Sequence, residues 1–331
     1  VDIVPRGSGT NLAGGAVPNN SIVVEMRGLN KIIHVDLLKK TALVQAGITM
    51  KELNEKLNQT DMEFPVYNNE QSTIGSMIAV NTFGIKSMRY GIMKDWIEEI
   101  EFVNGKGEWL KIGRADLAEV CGMEGTTGII CTVRIKLLSR SKKSFSLFQS
   151  DTLDEIISLA RRLKTESDVV MLKVYSKKTS KIVGLPEKYN LIIGFDSSRG
   201  KIKEEGYSKL NTIIKDEYVY LYSQGYTESE DAKLFYDKLK EYMVRVEEIG
   251  SPYTADAGMA IVNTFFKKEE TAALKKIIEF NTKIGVKKGH YPIGLKRKYL
   301  LDPLEKKIFM RIKKRHDPLG KMNKAKLFDD F

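Results

Sequence analysis

The stretch PRGSGTNLAGGA, residues 5–16, decides how the rest of this sequence is interpreted. It follows the apolar pair Ile3–Val4 and contains four glycines within a short span, Gly7, Gly9, Gly14 and Gly15. Because glycine has no Cβ, backbone N–H groups in such a loop can approach an anion closely, and Ser8, Thr10 and Asn11 add further donors. The loop therefore favours a pyrophosphate-binding turn, with a tight structural turn as the alternative.

This loop matches neither of two common nucleotide-binding fingerprints. The P-loop pattern G-x-x-x-x-G-K-[ST] is absent, and the glycines are not spaced as G-x-G-x-x-G at a strand-to-helix turn. Three later segments bear on the choice: the first has small and polar residues against which a planar ring could lie, the second is another glycine-lined loop that runs into a strand, and the third closes the chain. They are STIGSMIAVNTFGIKSMRYG (72–91), GMEGTTGIICTV (122–133) and PLGKMNKAKLF (318–328).

The composition, 42% hydrophobic and 29% charged, is typical of a globular protein with one or two domains. No run approaches about 18 consecutive apolar residues, so no transmembrane segment is predicted. No signal peptide is visible at the start of the sequence. Cys121 and Cys131 lack the spacing of a metal site and are expected to be reduced, which favours a cytoplasmic location.

The net charge of +11 is distributed unevenly along the chain. Over most of the length Lys and Arg are interleaved with Asp and Glu, and the excess is concentrated between Lys287 and Lys326. This distribution favours a solvated, charge-rich surface, with a site for an anionic substrate, lipid or partner as the alternative. We expect no nucleic acid partner, because the basic residues do not form one patch.

Short β-branched segments dominate the first 140 residues. Strands are predicted at 21–26, 32–37, 41–47, 97–105, 108–113 and 128–138. A helix is predicted over 49–59, with Thr49 as its N-cap and Glu52 three residues further on.

Longer helices alternate with strands from about Ser141 onward. Helices are predicted at 152–164, 201–215, 228–248 and 302–314, and strands at 169–175, 189–195 and 218–223. The β-α-β-β-α-β order between 143 and 223 predicts a ferredoxin-like α+β layer.

The glycine-rich loop and the three later segments together resemble the FAD-binding, PCMH-type domain of the vanillyl-alcohol oxidase superfamily. The resemblance is to its glycolate oxidase and D-lactate dehydrogenase branch. The pattern of that branch reads roughly PRGaGT-x-L-x-GGA, then TIGG with a following N-x-G-G, then [KR]YG, and then GSEG-x-LGI-x-T. The same order and similar gaps occur here over residues 5–140, with a weaker similarity at 317–327.

The resemblance implies an α+β fold with three parts. Residues 1–140 would be the FAD-binding domain, 141–300 a ferredoxin-like substrate or cap domain of the FAD-linked oxidase type, and 301–331 a helix and tail that return to the FAD domain. Related domains begin with a further strand and helix before the PRG loop, so an N-terminal part of the domain is expected to be missing here.

The resemblance also implies noncovalent FAD, since the loop has no histidine to which flavin could be attached. It assigns the pyrophosphate to Pro5, Arg6, Gly7, Ser8, Gly9, Thr10 and Asn11. It places Ser72, Thr73, Ile74 and Gly75 beside the pyrophosphate and the isoalloxazine ring, with Asn81 and Gly84 on the same wall. The ribose and adenine side would be contacted by Glu124, Gly125, Gly128 and Ile129.

The expected substrate half departs from the family pattern. Its H-x-GDGN-x-H segment is absent, and GHYPIG (289–294) stands where GEHGIG is expected. The chain has only three histidines, His34, His290 and His316, and no two of them have the spacing of a metal pair. We therefore expect no metal site.

His290 is the candidate general base, because an imidazole suits proton abstraction from a hydroxyl near neutral pH. An ordinary loop histidine is the alternative. Tyr291 is a candidate hydrogen-bond donor in the same site. Arg297 is a candidate for the substrate carboxylate, since a guanidinium binds carboxylates with two hydrogen bonds, and a solvated charge is the alternative. His34 and His316 are expected to be structural.

The sequence therefore predicts an FAD-dependent dehydrogenase or oxidase that acts on a small 2-hydroxy acid such as lactate, glycolate or 2-hydroxyglutarate, with hydride transfer to flavin N5. Its electrons would pass to a quinone, an electron-transfer protein or an iron–sulfur subunit, and a peripheral membrane contact remains open. One alternative is a flavin-binding electron-transfer or structural subunit with a degenerate substrate site. Another is an enzyme similar to alkyl-dihydroxyacetonephosphate synthase.

Overall fold

Alternating apolar and polar residues form strands in the first part of the computed structural model, which describes residues 1–67, 69–202 and 204–328. The strands here are β1 (Asp2–Arg6), β2 (Ser21–Glu25), β3 (Ile32–Asp36), β4 (Thr41–Gln45), β5 (Met62–Glu63), β6 (Ile97–Asn104), β7 (Trp109–Gly113), β8 (Gly128–Lys136) and β9 (Leu138–Ser139). The helices are α1 (Met50–Leu57), α2 (Ile74–Val80) and α3 (Ser87–Tyr90). The strands predicted from the sequence in this part are confirmed, with small differences at their ends.

The second part mixes helices and strands more evenly. Its elements are β10 (Ser144–Ser150), α4 (Leu153–Leu163), β11 (Val169–Tyr175), α5 (Lys177–Ile182), β12 (Tyr189–Phe195), α6 (Glu204–Ser223), β13 (Glu228–Lys233), α7 (Leu239–Ile249), β14 (Tyr253–Asp256), β15 (Ile261–Phe266), α8 (Thr271–Ile284) and α9 (Pro303–His316). The predicted α+β class is confirmed. None of the helices in the described ranges is both long and apolar enough to cross a bilayer.

Two predictions between 201 and 248 are wrong. The predicted strand at 218–223 is the last part of α6, where Tyr218 and Leu221 lie three residues apart and pack with Phe265. Its aromatic and β-branched content favours a strand, but the buried residues follow the helical period. The predicted helix at 228–248 begins only at Leu239, because residues 228–233 form β13 and pair with β15.

The described residues form two compact units. The first contains Val1–Gly84, Gly91–Arg140 and the chain from His290 onward, and the second contains Ile85–Tyr90 and Ser141–Gly289. These units differ from the expected domains in two places. Residues 85–90 group with the second unit, and residues 290–300 group with the first.

An antiparallel sheet with the strand order β3-β4-β8-β6-β7 organises the first unit. Apolar side chains of β4, β6 and β8 pack with those of α1 and α2 in one buried core. Helix α1 begins as predicted: Thr49 and Glu52 form a capping box in which each side chain meets the other residue's backbone N–H. The glycine-rich loop lies between β1 and β2, which form a separate parallel pair.

The second unit is built on an antiparallel sheet with the order β10-β12-β11-β14-β15-β13. Helix α4 joins β10 to β11, and β12 lies between them, so these elements form a split β-α-β unit. The predicted apolar face of α4 is buried, namely Leu153, Ile156, Ile157, Ala160 and Leu163. The edge strand β13 pairs with β15 rather than with β10.

Asp196 fixes the segment 85–90 within the second unit. Tyr90 donates its hydroxyl to Asp196 Oδ2 at 2.5 Å, and Lys86 Nζ donates to Asp196 Oδ1 at 3.0 Å. Burial alone would raise the pKa of the Asp196 carboxyl, but the Lys86 charge and these hydrogen bonds hold it below the ordinary 3.8.

We expect Asp196→Asn to lower the free energy of unfolding by about 2 kcal/mol at pH 7, because it removes a buried charge-assisted contact. A carboxyl with a depressed folded-state pKa stabilises the protein above its unfolded-state pKa, and this stabilisation disappears as the pH falls through the folded-state value. Urea titrations should therefore show a difference between wild type and variant that is full at pH 7 and shrinks below about pH 3.8.

The matched control is Asp151→Asn, because Asp151 pairs with Lys188 on the surface, with 71% of its side chain exposed. It should change the stability by less than about 1 kcal/mol. A difference for Asp196→Asn that stays constant down to pH 3 would contradict the assignment.

Candidate functional site

The glycine-rich loop lies against the start of α2. A Cβ on Gly7 would lie 2.3 Å from Thr73 Oγ1, so the backbone at Gly7 approaches this threonine as closely as a glycine permits. Thr73 is the N-cap of α2 and accepts from the backbone N–H of Ser76. Beside it, the hydroxyls of Thr10 and Ser72 are 3.3 Å apart. The structure therefore brings together two of the sequence segments predicted to hold pyrophosphate.

The loop at 122–128 is attached to the other end of α2. Gly122 N–H donates to Ile78 O at 3.1 Å, and Glu124 N–H donates to Ala79 O at 2.7 Å. Gly125 has a φ of +75°, and a Cβ there would lie 2.7 Å from Pro5 Cγ. Helix α2 thus places the third predicted segment beside the first.

Glu124 connects this loop to the segment that contains the candidate base. Its side chain is buried, and its two oxygens accept the backbone N–H groups of Ile293 and Gly294 at 2.7 and 2.9 Å. Asn323 completes the junction, because its Nδ2 donates to Glu124 O and to Gly15 O. Glu124 therefore has a structural side-chain role that the sequence did not predict.

The loop at 6–11 is the accessible part of this arrangement. Arg6, Gly9 and Thr10 are exposed, whereas Ala13 and Gly15 are buried behind them. The accessible residues offer a guanidinium, hydroxyls and glycine N–H groups, which are the donors that a pyrophosphate requires. A second observation also fits a bound cofactor: Thr82, next to Asn81, has a buried hydroxyl without a hydrogen-bond partner among the described residues.

Not all predicted FAD residues lie on this surface. Ile74 is buried in the core of the first unit, and Gly75 donates its N–H to Ala46 O at 2.7 Å. Gly128 pairs with Asn104 across β8 and β6, where a Cβ would lie 2.3 Å from Val103 O. Three further predicted residues are at most partly exposed. Ile129 is half-buried, and Asn81 ends α2 with a φ of +48°. Gly84 is buried and packs on Tyr67.

The candidate base lies beside the wall that contains Asn81 and Gly84. His290 Nδ1 is 3.3 Å from Phe83 O, and the two rings meet edge to face with centroids 6.3 Å apart. An Nδ1–H that donates to this carbonyl leaves Nε2 as the basic nitrogen of a neutral ring. The carbonyl of Phe83 was missed by sequence reasoning, because nothing local links positions 83 and 290.

Tyr291 and Arg297 form a buried pair next to His290. The Arg297 guanidinium lies 4.6 Å from the centroid of the Tyr291 ring, and its Nη1 approaches Pro292 O at 3.5 Å. Arg297 is 3% exposed, so the alternative of a solvated surface charge is wrong. A buried guanidinium stacked on a ring is held in one orientation, as recognition of a carboxylate requires.

Of the other two histidines, His316 has the structural surroundings that were predicted, whereas His34 does not. His34 is exposed on β3, and His316 ends α9 with Nε2 2.7 Å from Glu119 Oε2 and its ring edge-to-face with Phe102. Across 1–67, 69–202 and 204–328, no group of three or more His, Cys, Asp or Glu side chains is placed to hold a metal ion.

We expect Gly7→Ala to raise the dissociation constant for FAD at least about tenfold. The new Cβ would displace either the loop or the Thr73 cap, and a lost charge-assisted hydrogen bond to phosphate corresponds to a factor of that size. Titration of apoprotein by quenching of flavin fluorescence measures it. Gly113→Ala is the control, because a Cβ there meets no atom within 4 Å and its φ is −92°. Equal affinities for both variants would contradict the placement of the loop.

Comparison with known proteins finds similarity to FAD-binding proteins. Residues 1–113 match the family model described as an FAD binding domain. Glycolate oxidase subunit GlcD of Bacillus subtilis (strain 168) is 30% identical over 186 residues, and D-2-hydroxyglutarate dehydrogenase of Stutzerimonas stutzeri (strain A1501) is 24% identical over 294 residues. These alignments cover 53% and 81% of this chain, but only 38% and 63% of the two relatives. The chain therefore spans less than two thirds of either relative.

A solved structure of alkyldihydroxyacetonephosphate synthase has a similar fold. It superposes with a TM-score of 0.76 over 98% of this chain and 71% of that chain, at 18% sequence identity. At this identity the likeness concerns the fold alone, and it agrees with an α+β arrangement.

Proposed function

We propose, from the premise that residues 1–113 of this chain are an FAD binding domain, that the chain dehydrogenates a small 2-hydroxy acid. Glycolate, D-lactate and D-2-hydroxyglutarate are the substrates to test first. Two relatives are named for such acids, glycolate oxidase subunit GlcD and D-2-hydroxyglutarate dehydrogenase, which supports this substrate class.

The observation that carries the proposal is the position of His290 beside the Asn81–Gly84 wall. Its Nδ1 is oriented by the Phe83 carbonyl, and Phe83 lies between two of the residues proposed to face the flavin. A base held in this way can take the hydroxyl proton on Nε2. Tyr291 and Arg297 are proposed to hold the substrate by its hydroxyl and carboxylate, because both belong to the segment that Glu124 anchors.

FAD, when bound, supplies the acceptor for the two electrons removed from the substrate carbon. We propose that the loop at 5–11 holds the pyrophosphate noncovalently, through Arg6, the hydroxyl donors and the glycine N–H groups. The isoalloxazine side would face Ser72, Thr73, Asn81 and Gly84, and the ribose side would face the loop at 124–129. Thr82 would gain a hydrogen-bond partner on the same wall.

The proposal is tested by anaerobic titration of the purified, FAD-loaded protein. Loss of the visible flavin band on addition of one of the three hydroxy acids is the expected result, with the L-enantiomer of lactate as a control. A yellow protein that none of these acids bleaches would contradict the substrate class but not FAD binding. In that case a flavin-binding electron-transfer subunit becomes the better function, and reduction by dithionite with reoxidation by a quinone would test it.

We further propose that the reaction takes place in the cytoplasm, since the two cysteines are free thiols. The electron acceptor would be a quinone, an electron-transfer protein or an iron–sulfur subunit. Measuring reoxidation of the reduced flavin with one acceptor of each kind distinguishes them.

A further inference from the structure

The outward face of α9 carries exposed basic side chains and exposed apolar side chains next to one another. Leu304 and Ile308 are 68% and 49% exposed, and Leu319, in the turn after the helix, is 75% exposed. The exposed basic residues on the same helix are Lys307, Arg311, Lys314 and Arg315. We call these seven residues the α9 face.

The helical period places these helix residues on one side. Successive residues are about 100° apart, so Lys307, Arg311 and Lys314 share a strip with Leu304, and Arg315 and Ile308 flank it. The opposite side is packed, with Phe309, Met310 and Ile312 against Leu327 and Phe328. Along this described helix, the exposed side carries no acidic residue, and Arg315, a member of the face, pairs with a carboxylate of another element, Glu119.

We propose that the α9 face binds the surface of a bilayer that contains anionic lipids. Each Lys or Arg near such a surface adds a favourable electrostatic contribution, and Leu and Ile can enter the interface between headgroups and acyl chains. Single apolar side chains separated by cations suit a laterally mobile lipid surface better than the fixed pockets of an acidic protein. The inference is independent of the proposed hydroxy-acid chemistry.

Co-sedimentation with vesicles tests the proposal on the full, FAD-loaded protein. The probes are vesicles of phosphatidylcholine alone and of phosphatidylcholine with phosphatidylglycerol in equal amounts. We expect partitioning into the anionic vesicles only, with weakening by added salt. Lys307→Gln with Arg311→Gln should lower the partition coefficient about 30-fold at low salt, and Leu304→Ser with Ile308→Ser about tenfold or more.

Two double variants elsewhere serve as matched controls. Lys275→Gln with Lys276→Gln removes two exposed cations from α8, and Val219→Ser with Phe235→Ser removes two side chains that are 66% and 80% exposed. Both controls should change partitioning less than threefold, because neither pair of residues belongs to the α9 face. Equal losses in controls and α9 variants would overturn the assignment to α9.

Two other outcomes would also overturn the proposal. One is the absence of binding to either kind of vesicle. The other is a change of oligomeric state in the α9 variants, measured by light scattering, without any vesicle binding, because the face would then be covered by a second copy of the chain.

Discussion

Replacing His290 by alanine is expected to lower turnover of the best 2-hydroxy acid at least about 100-fold, while FAD binding stays within twofold of wild type. The imidazole is the basic group that the structure holds beside the Asn81–Gly84 wall, through the 3.3 Å contact between its Nδ1 and Phe83 O. Without it, the hydroxyl proton must leave to water. Anaerobic stopped-flow measurement of flavin reduction isolates this step from reoxidation.

The pH dependence of flavin reduction distinguishes a general base at His290 from a residue that only contributes packing. Wild-type reduction should slow in acid as the imidazole becomes protonated, and this limb should disappear in His290→Ala. His34→Ala is the matched control, because His34 is exposed on β3, and its rate should equal that of wild type. A His290→Ala variant that retains more than a tenth of the wild-type rate would show that another group takes the proton.

Lys313→Met is expected to cause the largest loss of stability, about 3–5 kcal/mol. The Lys313 ammonium is buried and donates to Thr126 O at 2.9 Å, Met322 O at 2.7 Å and Asp317 Oδ2 at 2.5 Å. All three of its N–H groups are thereby used, and one residue joins α9, the loop at 122–128 and the turn at 317–322. Methionine has a similar length but leaves the buried Asp317 carboxylate without its cationic partner, so that, among the described residues, only the backbone N–H groups of Lys321 and Met322 still donate to it.

Differential scanning calorimetry should show the effect as a fall in Tm on the order of 10 °C. Lys314→Met is the control, because Lys314 is the exposed neighbour on the same helix, and it should change stability by less than about 0.5 kcal/mol. Because the loop at 122–128 depends on Lys313, the variant should also bind FAD more weakly. A Tm equal to that of the control would contradict the role given to the lysine.

Local chemistry explains which parts of the site were predictable. The glycine-rich character of the segments around Gly7 and Gly125 is visible locally in the sequence, although the groups that these glycines approach, Thr73 and Pro5, are far away along the chain. The apolar period of α4 and the capping box of α1 are likewise local, and both are confirmed. The prediction of a strand at 218–223 was wrong because the strand preference of its residues disagreed with the helical period of its apolar positions. Packing of that apolar face against Phe265 favours the helix.

Contacts over long separations explain what was missed. His290 meets Phe83 across 207 positions, and Ile293 meets Glu124 across 169 positions. Neither Phe83 nor Lys313 stands out locally, because an aromatic residue near a glycine and a lysine in a basic helix are both ordinary. The burial of Arg297 also depends on the fold, since its neighbours in sequence, Lys296 and Lys298, suggest a solvated stretch.

The carboxylate of Glu124 makes the cofactor loop and the segment 290–294 a single thermodynamic unit. A ligand that stabilises the ordered loop must also stabilise the contact between segment 290–294 and Glu124. By the same coupling free energy, that contact stabilises ligand binding to the loop. At FAD concentrations about 1,000 times its dissociation constant, the folded chain gains about 4 kcal/mol. Deuterium exchange at the amides of Ile293 and Gly294, which donate to Glu124, should therefore slow when FAD is added. Loading of the flavin would then also tighten the segment that carries His290.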